Sequence, residues 1–416
     1  MTIEARPIAT AVAVVVAGVI PMFLTAALLP RIGADFRFAK VGLGVGVAGF
    51  HVTAAVAAPR FGRLVERVGP ARCVEISAGI AALCAVAIAV GARSATAMVV
   101  LLTLAGVANG ASGPAASALL SRTVAARRRG LAFGAQQAGA PLAALLAGMA
   151  AWLVAGPLGW RSAFALAVLT ALAAAALVPR QPLRAGPPAV RRVRPQSGQS
   201  LRALVLAAAL ASATSTGMMA FLVTYAVDSG VSQQGAGVLL GVVSCVAMAS
   251  RIGLGLAVDR WDGDALAIAT ALLVASAVGC LLLTAATPAL IAVGALTVGG
   301  LGWAWTGLFT LAVVKQHPDA PGRAVGVMMS GLFAGAVAGP LLVGVLARHG
   351  AYARGWIACA ALAALAAATV AASGRTRGPY GATLPTVPRP AHVGTSGVAA
   401  TAVYQGSPAA AGSTIA

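Results

Sequence analysis

Long apolar runs alternate with short polar gaps along nearly the whole chain. The runs fall at about 8–29, 41–59, 73–91, 96–120, 131–155, 162–178, 203–226, 236–257, 265–286, 289–313, 324–346 and 351–372. Most come close to the ~20 residues that a helix needs to cross a roughly 30 Å hydrocarbon layer. A helix satisfies its backbone polar groups from within the segment, which is what a lipid surround demands. The pattern therefore predicts an all-α membrane protein of twelve transmembrane helices. The first run is too long for a signal peptide and eleven more follow it, so it counts as a span.

Composition sharpens this. The 416 residues are 60% hydrophobic and 9% charged, with a mean hydropathy of +0.92. Soluble domains carry roughly 25% charged residues, so a water-soluble globule is excluded. The net charge of +20 invites a nucleic-acid reading. However, the basic residues are almost all arginines scattered through the short gaps, with no basic helix face, so no nucleic-acid partner is expected. Cys73, Cys84, Cys245, Cys280 and Cys359 sit apart inside apolar runs. That spacing gives neither a disulfide framework nor a zinc site. There is no HExxH run, no cluster of His and acids, and no phosphate loop of the G-x4-G-K-[ST] type. The expectation is a non-enzyme with no metal and no cofactor.

Lys and Arg favour the cytoplasmic side of a membrane. An even number of spans puts both termini on one side, and if that side is the cytoplasm the inner segments hold 22 basic residues against seven outside. The outer seven are Arg31, Arg37, Lys40, Arg93, Arg161, Arg348 and Arg354. This predicts an N-in/C-in topology. Abundant Ala and Arg with little Lys suggest a high-GC bacterial genome, and hence a multi-pass protein of the plasma (inner) membrane with both termini cytoplasmic.

The chain divides into a six-helix bundle at 1–178, a basic, Pro-rich cytoplasmic linker at 179–202, a second six-helix bundle at 203–373, and a tail at 374–416. The linker cannot build a core and reads as a solvated tether at the anionic inner leaflet. The tail, rich in Gly, Pro, Ser, Thr and Ala without period, reads as disordered.

The two bundles repeat each other. Gly62, Glu66 and Arg67 after the second span recur as Gly255, Asp259 and Arg260 after the eighth, each shifted by 193 residues. Gly130 and Gly134 at the fifth span recur as Gly322 and Gly326 at the eleventh, shifted by 192. Gly159-Trp160 before the sixth span recurs as Gly355-Trp356 before the twelfth, shifted by 196. Matches in the same order at nearly one offset mark an internal duplication.

On these motifs, over roughly residues 8–373, the chain resembles the major facilitator superfamily of secondary transporters. The loop GRLVERVGPAR is similar to that family's G-x-L-x-D/E-R-x-G-x-R/K-R/K signature at Gly62, Leu64, Glu66, Arg67, Gly69 and Arg72, with Ala71 departing from it. The second copy keeps Gly255, Asp259 and Arg260 but ends in Asp262 and Asp264. The resemblance implies a conformational latch built from Gly62, Glu66, Arg67, Gly255, Asp259 and Arg260. Glu66 would cap the start of the eleventh helix and Asp259 the start of the fifth, where a carboxylate gains from the helix dipole. Pro141 and Pro340, within the fifth and eleventh spans, suit bending helices.

Polar groups inside spans are expensive unless they face protein or water. The third, sixth, ninth and twelfth spans are nearly all Ala, Val and Leu, as lipid-facing helices should be. Polarity collects elsewhere, and the candidate substrate-binding residues are His51, Asn109, Gln136, Gln137, Arg251 and Trp303. His51 is the only histidine within a span and can also handle protons. All nine acids lie in loops or at helix ends, so no mid-span carboxylate stands ready for a cationic drug. The arginine of the family's antiporter motif would fall at Leu102.

The expectation is a monomeric secondary transporter in the lipid bilayer. It moves a small-molecule substrate, organic and neutral or anionic, by alternating access, with a proton as candidate co-transported ion. The alternatives are a proton-coupled drug or metabolite efflux pump and, more remotely, a non-transporting receptor or scaffold.

Overall fold

The computed structural model describes residues 5–179, 198–261, 263–347 and 350–375. Most of the expected linker (180–197), the tail beyond residue 375, Asp262 and Arg348 lie outside the described residues. Among the described residues every regular element is helical.

The first half runs α1 (Ala5–Ala27), α2 (Leu29–Phe36), α3 (Lys40–Val68), α4 (Pro70–Gly91), α5 (Ala95–Thr123), α6 (Arg129–Gln137), α7 (Gly139–Leu153), α8 (Ala155–Leu158) and α9 (Trp160–Ala176). The second runs α10 (Gly198–Asp228), α11 (Gln233–Trp261), α12 (Ala265–Leu283), α13 (Pro288–Ala295), α14 (Trp305–Gln316), α15 (Pro321–Leu346) and α16 (Tyr352–Arg375). Ten helical stretches are long and apolar enough to cross a membrane, and α9 is a shorter apolar helix. The fifth expected span is divided between α6 and α7.

Local chemistry explains several boundaries. Ser94 caps α5 by accepting from Ala97 N at 3.1 Å, and Asp264 caps α12 by accepting from Leu266 N at 2.9 Å, the usual job of such side chains. Gly69, at φ +89°, is at once the last cap of α3 and the first of α4. That left-handed backbone lets the chain reverse within one residue. The break between α6 and α7 follows from Pro141, which has no N–H to offer the carbonyl of Gln137 one turn back. Pro340 lies within α15, yet that helix runs unbroken.

The tenth expected span is irregular without any proline. Between α13 and α14 lie a π turn, Leu296–Leu301, and a 3-10 turn, Gly302–Ala304. Its counterpart in the first half, α5, is regular throughout.

Buried apolar residues sort into three cores. One is drawn from both halves and includes Ala58, Val65, Leu119, Phe133, Val258, Trp305 and Val325. A second, with Ile20, Phe50, Ala147 and Phe164, comes from the first half alone. The third, with Met218, Leu222, Val298 and Trp356, comes from the second half alone. The halves thus share a core at one end and keep separate cores at the other. Outward from these, Leu83 and Val90 on α4, Leu169 and Leu172 on α9, Val274 and Val278 on α12, and Ile357 and Leu365 on α16 are exposed. Those are the helices expected to face lipid.

Candidate functional site: the seam between the halves

Two glycine-lined helix crossings lie in the seam between the halves, and the repeat makes them alike. At the first, α3 meets α15. A Cβ placed on Gly62 would lie 2.6 Å from Gly322 O, and one on Gly326 would strike Ala58 O. At the second, α11 meets α6: a Cβ on Gly255 would strike Gly130 O, and one on Gly134 would strike Arg251 O. Glycine is required at these positions because backbone touches backbone.

Each crossing brings a carboxylate to a helix start in the other half. Glu66 Oε1 accepts from Gly322 N at 2.8 Å and Arg323 N at 3.4 Å. Asp259 accepts from Gly130 N at 2.8 Å and Leu131 N at 2.7 Å. The residues at the cap positions of these two helices, Ala320 and Arg128, make no side-chain capping bond of their own. The first-turn donors of α15 and α6, which a helix cannot satisfy internally, are therefore satisfied from the opposite half. Glu66 also holds an ion pair with Arg122 at 2.9 Å. Arg67 and Arg260 are exposed.

Deeper in the seam, Arg251 on α11 is 5% exposed. One guanidinium nitrogen donates to Ala247 O at 2.8 Å, while its buried Nε has no partner. The guanidinium carbon lies 5.4 Å from the centroid of the Trp303 ring, within cation–π range. Trp305, two residues on, is fully buried against Phe309 at 4.9 Å between centroids. Trp303 is half-buried, so of the two it is the one with exposed surface.

The remaining candidates separate. Gln137 Nε2 donates to Thr310 Oγ1 at 3.2 Å, across the seam from α6 to α14. Gln136 faces the other way: fully buried, it exchanges hydrogen bonds with Ser117 and reaches Gly113 O on α5. Its amide is engaged in packing α6 on α5. Asn109 on α5 is 8% exposed, and a Cβ on Gly18 of α1 would lie 3.1 Å from its Cα. His51 on α3 donates from Nδ1 to Val47 O at 2.9 Å, which leaves Nε2 as the atom that can take a proton. Its ring lies 5.4 Å from Phe50 and, across the seam, 6.2 Å from Phe333 on α15.

Other residues carry polar contacts that the sequence reading did not single out. Arg122 is one. At the end with separate cores, Asp35 accepts from Trp160 Nε1 at 2.7 Å and from Arg161 at 2.9 Å. These donors hold its carboxyl below the usual aspartate range, the Trp160 bond contributing most. Asp228 accepts from the Tyr352 hydroxyl at 2.7 Å. Asp35 and Asp228 are themselves 193 residues apart, a signal present in the chain all along. Both contacts stay within a half. Among the described residues, hydrogen bonds across the seam occur only at the shared-core end.

A family model, Major Facilitator Superfamily, matches residues 10–340. The chain belongs to the major facilitator superfamily. Solved structures agree on the fold of this transporter. The human organic anion transporter MFSD10 (TETRAN) superposes with a TM-score of 0.72 at 17% identity, covering 89% of this chain and 100% of that one. The E. coli fucose:proton symporter FucP gives 0.71 at 14%, covering 89% and 99%. The proton:xylose symporter XylE, bound to 6-bromo-6-deoxy-D-glucose, gives 0.72 at 14%, covering 88% and 95%. At these identities the likeness is one of fold. No curated protein matches the sequence.

Proposed function

We propose that this superfamily member is a secondary active transporter that carries a small organic solute, anionic or neutral, by alternating access between its two halves. The twelve apolar runs support twelve spans, and the 22-to-7 division of basic residues supports placing both termini on the cytoplasmic side of a plasma membrane. In that orientation the shared core and both carboxylate docks close the cytoplasmic end. The docks act as a latch that must release before the solute site opens inward.

The observation that carries the solute reading is Arg251. A guanidinium keeps its charge at any working pH, and a buried charge without a partner is costly. Arg251 has a backbone carbonyl and an aromatic face but forms no ion pair among the described residues. An anionic group on the solute supplies the missing partner, whereas a cationic one would be repelled. Trp303 offers a flat surface for the solute's body, and His51 Nε2 offers a site for a coupled proton.

Flux in proteoliposomes tests this, using organic anions, neutral metabolites and cationic dyes, with and without a pH gradient. Anion flux should fall about 30-fold or more in Arg251→Ala, the usual scale for deleting one partner of a buried charge pair. The pH-gradient dependence should disappear in His51→Ala. Transport of cationic dyes alone, indifferent to both substitutions, would overturn the solute reading in favour of an efflux pump of the same superfamily.

A further inference from the structure

The π turn between α13 and α14 sits at a junction. Ile291 and Ala295 upstream, and Val298 within the turn itself, belong to the core of the second half alone. Downstream, Trp305, Leu308 and Phe309 belong to the core shared by both halves. Thr310 accepts from Gln137 across the seam at 3.2 Å, and a Cβ on Gly307 would lie 3.4 Å from Gly134 Cα. The upstream part of this span therefore packs with its own half, while the downstream part is pinned to α6. Trp303 lies between them, in the 3-10 turn just after the π turn.

A π turn takes an extra residue into one turn of helix, and each α-helical residue turns the chain by about 100°. Regularising the turn would swing Trp303 by about that angle relative to α13, away from Arg251. Something must hold the irregular form in place, and α11 does so along one face. A Cβ on Gly299 would meet Val243 at 2.7 Å, one on Gly300 would meet Val246 at 2.9 Å, and Ser250 Oγ donates to Gly300 O at 2.7 Å. Ser250 is the neighbour of Arg251. The residues 193 positions earlier are Ala57 and Ala58; there the hydroxyl comes one turn earlier, from Thr53, which donates to Thr103 O on α5, and α5 has no π turn.

We infer that Ser250 is a positioning residue: it holds the π turn of the tenth span in register, and that register sets the Trp303 ring over Arg251. The inference rests on the solute reading above for its consequence, which is that Ser250 tunes anion recognition without touching the anion. Movement of α14 away from α6 pulls on the same joint and re-aims Trp303.

The test uses the full chain in lipid nanodiscs and has two arms. Backbone hydrogen exchange is compared across Leu296–Ala304 and α13 in wild type, Ser250→Ala and Ser250→Thr. Exchange confined to Leu296–Ala304 should rise about fivefold in Ser250→Ala, the scale of one hydrogen bond, and stay near wild type in Ser250→Thr. Unchanged exchange in Ser250→Ala overturns the inference whatever the other arm gives. In the second arm, iodide serves as a monoanion that quenches indole fluorescence, and the Trp303 component is taken by difference from Trp303→Phe. Quenching should saturate in wild type, vanish in Arg251→Ala, weaken about fivefold in Ser250→Ala and recover in Ser250→Thr. Raised exchange with wild-type quenching in Ser250→Ala overturns the link to Trp303 and leaves the Arg251 site standing. No Arg251-dependent saturation even in wild type overturns the anion site itself, and with it the consequence drawn for Ser250.

Discussion

The two ends of the molecule use the same kind of group for opposite purposes. At one end Glu66 and Asp259 reach across the seam to helix starts in the other half. At the other end Asp35 and Asp228 bind the start of α9 and of α16 within their own halves. The buried residues divide in the same way, into one common core and two private ones. In the proposed alternating-access cycle, carboxylates that cross the seam must release as the halves rock, and carboxylates that stay inside a half hold it together.

That contrast can be broken from the crossing side. Truncating both crossing acids, Glu66→Ala with Asp259→Ala, removes two capping interactions of about 1–2 kcal/mol each. The ratio of inward-open to outward-open molecules, read by single-molecule energy transfer between labels at the two ends, should rise about 100-fold. An unchanged ratio would defeat the latch reading. Next in size is a wedge. Gly62→Val places side-chain atoms where a bare Cβ is already 2.6 Å from Gly322 O. Overpacking of this kind costs about 1–3 kcal/mol, so closure of that end should weaken by about tenfold while each private core stays intact.

Single substitutions sharpen the comparison between the crossings themselves. Glu66→Ala and Asp259→Ala each lose one cap across the seam, while the Arg122 ion pair of Glu66 lies within the first half, so the two should shift the ratio by similar amounts, about five- to tenfold each. A clearly larger shift for Glu66→Ala would mean that Arg122 helps to hold the latch closed.

The smallest effect belongs to the far end. Tyr352→Phe removes the bond to Asp228 and should lower the thermal midpoint by roughly 1–3 °C without moving the inward/outward ratio. Asp35 adds a pH signature. Its carboxyl is held below the ordinary value by Trp160 and Arg161, so its stabilising contacts are fully present above about pH 4 and lost as pH falls through the lowered value. The midpoint of the wild type should therefore decline more steeply below about pH 4 than that of Asp35→Asn.

Much of this arrangement could be read from the chain. The twelve runs stand out because lipid permits few polar residues, and the acids of the two crossings stand out because the duplication preserves their spacing. Pro141 marks a place where the fifth span can bend, but Pro340 in the matching span leaves α15 unbroken, so the break between α6 and α7 is not legible from proline alone. The π turn carries no such mark: Gly299, Gly300 and Gly302 resemble many other glycines in the chain, and the contacts of the turn with Val243, Val246 and Ser250 come from a different span. Gln136 and Gln137 were inseparable as neighbours because their directions differ by about 100° around the helix, and nothing local says which faces the seam. Arg251 stands out in the sequence, since a charge at that depth needs a reason. Its closeness to Trp303 depends on the tertiary packing of a different span.

The exchange of caps between the halves also bears on ancestry. A six-helix chain carrying one such acid and one helix start without a cap of its own would be complementary to a second copy of itself. Two copies related by a two-fold axis would each give what the other lacks, the self-matching arrangement common to symmetric dimers. The present chain holds both copies in one polypeptide, which frees them to differ: α11 carries Ser250 and Arg251 where α3 carries Ala57 and Ala58.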